Sequence, residues 1–212
     1  MKILIAVPCM DTVPSQFAQS LAVLSKVENC AIAFQMGSLV YTSRNNLATM
    51  AVQGEVDYVL WLDSDMVFPP DVLIKLLEDR DKGDIITGIY HRRVQPFKPV
   101  LYSKLEINES GCDWLGYDDY PTDDVFEVQG CGFGCVLTPV QVLFDVLAKF
   151  GDMFGPLNGV GEDLTFCWRA KQCGFKIVAD PRLQLGHVGH YIVDNKFFET
   201  YKNARKNEIE NN

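Results

Sequence analysis

A chain of 212 residues, 48% hydrophobic, 22% charged and 11% aromatic, has the composition of a globular protein, which excludes disordered and fibrous classes. A core of this size folds without disulfides or a structural metal. Its 19 Lys and Arg against 28 Asp and Glu give a formal charge of -9, which argues against nucleic acid as a partner and requires any phosphate ligand to be held by a local group of residues.

Residues 2–7 form a continuous apolar run, read as a buried strand; Pro8 and Asp11 interrupt it too soon for the core of a signal peptide. Phe17, Leu21 and Leu24 recur at helical spacing and predict a helix over 15–26. The alternation repeats as strand 30–35, helix 43–53, strand 58–62, helix 70–80 and strand 84–90, the pattern of a parallel α/β sheet. Ser43 is placed to cap the second helix, and Pro70 suits the first turn of the third, where Leu73, Leu76 and Leu77 make one stripe. Beyond Tyr90, extended segments 99–107 and 125–136 flank an acidic, turn-rich stretch, 108–124, expected as a loop or hairpin. A helix over 140–150, a Gly/Pro loop through Gly161, a helix over 162–173 stopped by Gly174 and a strand over 176–179 follow. The polar tail 195–212 is expected to be helical. With no repeat or linker, residues 1–194 are read as one domain.

No window approaches the roughly 20 apolar residues of a membrane span, so a soluble protein with at most peripheral membrane contact is expected. The seven cysteines are odd in number and show neither a CxxC nor zinc spacing. They are expected as reduced, mostly buried thiols in a cytoplasmic protein.

Three segments carry chemistry. In Tyr58-Val59-Leu60-Trp61-Leu62-Asp63-Ser64-Asp65, five apolar residues run into two carboxylates at the carboxyl end of a strand, where open parallel sheets bind ligands. Asp63 and Asp65 can converge there on one cation, or on a ribose and a cation, and hard oxygen ligands suit Mg²⁺ or Mn²⁺. A solvated turn would accommodate the same pair. In Gly161-Glu162-Asp163, two acids open a helix, where the macrodipole favours their ionised forms; either is a simple first-turn acid or a base for a hydroxyl. In Gly186-His187-Val188-Gly189-His190, two of three histidines sit between glycines after a strand, as metal ligands or as core residues.

Weaker signals surround these. Arg44 and Asn45 lie at a helix start that can face a phosphate, and His91, Arg92 and Arg93 form the densest basic cluster. The run Gly130-Cys131-Gly132-Phe133-Gly134 lacks the spacing and position of a dinucleotide loop, so its glycines are read as allowing close approach of backbone to a ligand. Pro8-Cys9-Met10-Asp11 after the first strand holds neither a dinucleotide fingerprint nor a Walker loop, which disfavours dehydrogenases and P-loop NTPases.

Taken in order, Val7-Pro8, Ser43-Arg44-Asn45, Leu62-Asp63-Ser64-Asp65-Met66, Gly130 to Gly134, Gly161-Glu162-Asp163 and Gly186-His187 resemble glycosyltransferase family 2 and related enzymes of the GT-A fold, over roughly residues 1 to 191. The resemblance implies a three-layer α/β/α sandwich with a mostly parallel central sheet, with 1–90 as the nucleotide-binding half and 91–194 as the acceptor-binding half. It implies a Mn²⁺- or Mg²⁺-dependent transferase that moves one sugar from a UDP- or GDP-sugar to a hydroxyl acceptor with inversion. By position, Asp65 and His187 would bind the metal, with His190 as substitute, and Asp63 would contact the ribose or the same metal. Asp163 would activate the acceptor hydroxyl, with Glu162 beside it holding the acceptor. Pro8, Asp11 and Arg44 would line the nucleotide pocket, Arg44 also neutralising the diphosphate, and Gly132 and Gly134 would pass near the donor sugar.

The chain departs from that pattern in two places. Gln35-Met36-Gly37 stands where many members carry a base-contacting Asp, which leaves the nucleotide open. The QxxRW motif of processive synthases is absent, which fits single addition. Two rivals remain at this stage: a Mg²⁺-dependent nucleotidyltransferase, and a nucleotide- or carbohydrate-binding module without turnover.

Overall fold

The computed structural model describes residues 1–109 and 111–189, together with Asn195, Glu199, Thr200 and Lys202. In chain order the elements are β1 (Ile3–Cys9), α1 (Ser15–Val23), β2 (Cys30–Met36), α2 (Val40–Gln53), β3 (Tyr58–Leu62), β4 (Met66–Val67), α3 (Val72–Glu78), β5 (Ile85–Ile89) and β6 (Leu101–Asn108). They continue as β7 (Gly111–Gly116), β8 (Phe126–Val128), β9 (Gly130–Cys131), β10 (Cys135–Pro139), α4 (Val140–Phe150), α5 (Glu162–Gln172), β11 (Ile177–Gln184) and β12 (Gly186–His187).

The central sheet has seven strands in the order β2-β1-β3-β10-β5-β11-β8. β1 runs parallel to β2 and β3, and β11 parallel to β5. β10 is antiparallel to both of its neighbours, and β8 is antiparallel to β11. Central strands that bury both faces read as unbroken apolar runs, which is why β1 and β3 were legible. Their side chains alternate between two cores. Ile3, Ile5, Val7, Leu60 and Leu62 pack with Phe17 of α1 and Val72, Leu73, Leu76 and Leu77 of α3. Leu4, Ala6, Val59 and Trp61 pack on the other face with Leu47, Ala48 and Ala51 of α2, Val142, Leu143 and Val146 of α4, and Phe166 and Ala170 of α5. The result is the expected three-layer α/β/α sandwich with a mostly parallel sheet.

Several local expectations are corrected. α2 begins at Val40, with Leu39 in the capping position and no side-chain cap; Ser43 lies inside the helix, its hydroxyl 2.6 Å from that of Ser38. α3 starts at Val72, so Pro70 precedes the helix. The stretch expected as one strand over 125–136 breaks into β8, β9 and β10; β8 and β10 take separate places in the central sheet, and β9 pairs with β6 in a three-stranded sheet. The break follows from packing. A Cβ on Gly132 would sit 2.0 Å from the Tyr90 hydroxyl oxygen, and one on Gly134 2.8 Å from Tyr90 Cζ and 2.9 Å from Met66 Sδ. β7 lies within the 108–124 excursion and pairs antiparallel with β6, and β11 runs on to Gln184 through a register shift after Asp180. The described tail residues Asn195, Glu199, Thr200 and Lys202 are helical; the rest of 195–212, and His190, lie outside the described residues.

Candidate active site

The carboxyl ends of β1 and β3 open onto a cleft of about 420 Å³ lined by Pro8, Cys9 and Met10 after β1, Ser38, Val40, Ser43 and Arg44 of α2 and its approach, Asp63, Ser64 and Asp65 after β3, Arg93, Glu162 and His187. A larger groove of about 530 Å³, near Met1, Leu77 and Arg80, gathers no comparable set of groups.

Asp63 and Asp65 occupy the turn between β3 and β4. The Asp63 amide donates to the Gly134 carbonyl (3.0 Å), and the Met66 amide donates to the Asp63 carbonyl (3.1 Å). β4 then pairs antiparallel with β12, which sets His187 opposite Met66. The Val188 amide donates to the Asp65 carbonyl at 2.8 Å and closes this contact. Residues far apart in sequence thus meet: His187 Nε2 lies 3.5 Å from Asp65 Oδ1. His187 is held by an edge-on contact with Tyr90, centroids 5.4 Å apart, and by Nδ1, 2.9 Å from the His91 carbonyl oxygen. A carbonyl only accepts, so Nδ1 carries the proton and Nε2 faces Asp65.

Burial opposes the charge on His187, but the bonds to Asp65 and His91 win and raise its pKa. Burial likewise opposes ionisation of Asp65, and His187 with Arg93 reverses that and holds its carboxyl below the usual range. Two ligands on adjacent octahedral positions at roughly 2.1 Å lie about 3 Å apart, so this imidazole and carboxylate fit a shared divalent cation with little adjustment. Among the described residues no set of three or more His, Cys, Asp and Glu converges as a metal cage. Asp63 does not complete the pair, because its Oδ1 accepts from Arg44 Nη2 at 2.7 Å. Two protein ligands suit a cation that takes its remaining oxygens from a substrate phosphate and water.

Arg44 enters from α2 with its side chain only 2% exposed. Besides the bond to Asp63, its Nε donates to Glu162 Oε1 at 3.3 Å, and its guanidinium carbon lies 5.2 Å from the Phe133 ring centroid. Burial pulls its pKa down, but Asp63 and Glu162 reverse that and raise it. Arg44 lines the cleft; its Nη2 and Nε join Asp63 and Glu162, and its Nη1 is buried with no hydrogen-bond partner among the described residues. The accessible cation is Arg93, 46% exposed, whose Nη1 lies 2.8 Å from Asp65 Oδ2.

α5 opens at the cleft because the loop before it is tied back to the helix. Thr165 Oγ1 accepts from the Leu157 amide (3.2 Å) and donates to the Val160 carbonyl (3.3 Å). Glu162 and Asp163 fill the first turn. Asp163 is not in the cleft lining; it sits beside Glu162, close enough to Arg44, Asp63, Tyr90 and Tyr102 to act on their charges. Burial, reinforced by Glu162, pushes its carboxyl up to about 6, against the Leu164 amide that donates to it at 2.7 Å. That value is placed for a base working near neutrality.

Of the residues singled out from sequence, Pro8, Arg44, Asp63, Asp65, Glu162 and His187 meet in one cleft, with Asp163 adjoining. Asp11 does not join them and is exposed in the turn after β1. Gly132 and Gly134 are buried against Tyr90 and Met66, whose side chains leave no room for a Cβ at either position. Asn45 also turns elsewhere, bonding Asp152 Oδ1 and the Phe154 amide at 3.0 Å each. Sequence reading missed Tyr90 and Ser38, and the pairing of Arg93 with Asp65. Only the basic cluster at 91–93 pointed toward the last.

No family model matches the chain, and no curated protein matches it. Solved structures do. A197 from STIV is 19% identical with a TM-score of 0.64, the match covering 92% of this chain and 87% of that one. TarS 1-349 from S. aureus, in complex with UDP-GlcNAc, is 14% identical with a TM-score of 0.58, covering 92% and 60%. GalNAc-T7 with UDP, GalNAc and Mn²⁺ is 10% identical with a TM-score of 0.56, covering 91% and 44%. This chain therefore spans less than two thirds of the TarS and GalNAc-T7 chains. The fold is of GT-A type. No helix among the described residues is long and apolar enough to cross a membrane.

Proposed function

We propose that the protein is a divalent-cation-dependent glycosyltransferase that moves one sugar from a nucleoside-diphosphate sugar to a hydroxyl acceptor with inversion, within a single domain over 1–194. The observation that carries the reading is the pairing of β4 with β12, which sets His187 beside Asp65 at the carboxyl end of β3. The UDP-GlcNAc named for one structure of the same fold, and the UDP, GalNAc and Mn²⁺ named for another, support it and make UDP the first nucleotide to test. Mn²⁺ or Mg²⁺ between Asp65 and His187 would supply Lewis-acid stabilisation of the departing diphosphate.

The chain's own groups do the rest. The His91 carbonyl keeps the Nδ1 proton of His187 and so aims Nε2 at the cleft. Arg44 holds Asp63 toward the ribose side and Glu162 toward the acceptor side, fixing the distance between the two halves. Asp163, ionised above about pH 6, removes the acceptor's hydroxyl proton as oxocarbenium character develops at the anomeric carbon. Attack from the side opposite the leaving diphosphate inverts the centre.

Release of UDP from UDP-sugars with a panel of hydroxyl acceptors, in wild type, Asp65→Ala and Asp163→Asn, tests the reading. Losing the base costs about 100- to 10,000-fold, and losing the electrostatic contact about 100- to 1,000-fold, in proteins that still fold. Full transfer by either variant would contradict that residue's role.

A further inference from the structure

The three basic residues at the end of β5 have different tasks. His91 gives its carbonyl to His187 (2.9 Å), and Arg92 donates to the Tyr102 hydroxyl at 2.8 Å, its guanidinium carbon 5.9 Å from the Trp114 ring centroid. Arg93 reaches into the cleft, where its Nη1 lies 2.8 Å from Asp65 Oδ2 and 3.5 Å from the Val188 carbonyl oxygen. Asp65 is thus held from two sides, by His187 at one oxygen and Arg93 at the other.

The charge count in the cleft makes this arrangement consequential. Asp63, Asp65 and Glu162 line it, and the other guanidinium in the lining, that of Arg44, is 2% exposed and bonded to two of those acids. A diphosphate entering such a cleft meets net negative charge unless a cation is free to face it. Arg93 is half-exposed on a flexible side chain and has, among the described residues, one ion-pair partner, Asp65. A divalent ion engaging Asp65 competes with Arg93 for it and frees the guanidinium beside the bound anion, whose oxygens a planar donor fork suits.

On the reading given under Proposed function, we propose that Arg93 is a latch between metal and donor. It occupies Asp65 in the empty cleft and transfers to the diphosphate when a divalent cation takes that carboxylate. The residue therefore opposes metal binding by the protein alone and favours nucleotide binding once metal is present.

Opposite signs in one variant test this. Mn²⁺ affinity without nucleotide, read by electron paramagnetic resonance of the free ion, and UDP or GDP affinity at saturating Mn²⁺, read by calorimetry, are compared in wild type, Arg93→Met and Arg93→Lys, with circular dichroism to confirm folding. Exposed ion pairs contribute little, so Arg93→Met should bind Mn²⁺ about two- to fivefold more tightly. Loss of a charge-assisted bond to phosphate should weaken the nucleoside diphosphate about 10- to 100-fold, with Arg93→Lys between. Both affinities weakening together, or nucleotide affinity unchanged, would overturn the latch alone. A wild type that binds neither Mn²⁺ nor a nucleoside diphosphate would overturn the underlying reading and the latch with it.

Discussion

In the role proposed for Asp163, one environment would serve catalysis at the expense of stability. A carboxyl whose folded pKa is raised binds its proton more tightly folded than unfolded. Its contribution to stability is complete below the ordinary carboxylate pKa of 3.8 and is lost as pH rises through about 6, because the ionised form is the one burial penalises. Turnover runs the other way, since only the ionised form accepts a proton. The kcat/KM of wild type should fall tenfold per pH unit below about 6, while Asp163→Asn should melt above wild type at pH 8, by a margin that narrows as pH falls and closes only below about 3.8. An Asp163→Asn protein less stable than wild type at pH 8 would show that the ionised carboxylate is part of the fold's support. From sequence, Asp163 was legible only as an acid in a first turn. Its raised pKa depends on what packs over it, which spacing does not encode.

Among the elements, α2, β3 and α5 meet through Arg44. Removing one partner of a buried ion network leaves uncompensated charge and costs about 3–5 kcal/mol. Arg44→Met leaves Asp63 and Glu162 facing a buried thioether, and at about 2 to 4 °C per kcal/mol for a chain this long its Tm should drop by roughly 6 to 20 °C. Arg44→Lys should recover little, since a single ammonium does not span two carboxylates as a guanidinium fork does. A scan of both variants by calorimetry checks this; a Tm within about 2 °C of wild type would mean that the network is energetically idle. The elements that sequence placed best are those whose burial is uniform. β3 and α4 match the expected bounds, 58–62 and 140–150. Those it misplaced depend on partners. Ser43 has the chemistry of a cap, but the helix begins earlier and Ser43 bonds Ser38 instead. The β4–β12 pair is two residues on each side, too short for any periodicity, yet it brings His187 to Asp65.

For the molecule as a whole, the two halves expected over 1–90 and 91–194 are interleaved in one sheet. β10, from the second half, lies between β3 and β5 of the first, and β11 extends β5. Neither half keeps its sheet without the other. The protein should therefore unfold in a single transition with matching calorimetric and van't Hoff enthalpies; two resolved transitions would contradict the one-domain reading. This interleaving was invisible in sequence, where the alternation of strands and helices fixes neighbours along the chain but not the insertion of an antiparallel strand.

The most direct measurement is a thermal-shift panel of UDP, GDP, CDP and dTDP, each with Mn²⁺, Mg²⁺ or EDTA, on wild type and Asp65→Ala. A ligand at 100 times its dissociation constant adds about 2.7 kcal/mol, several degrees for a protein of this size. The account predicts a shift with one nucleoside diphosphate that needs the divalent ion and disappears in Asp65→Ala. No shift with any of the four, or one indifferent to both metal and Asp65, would contradict it.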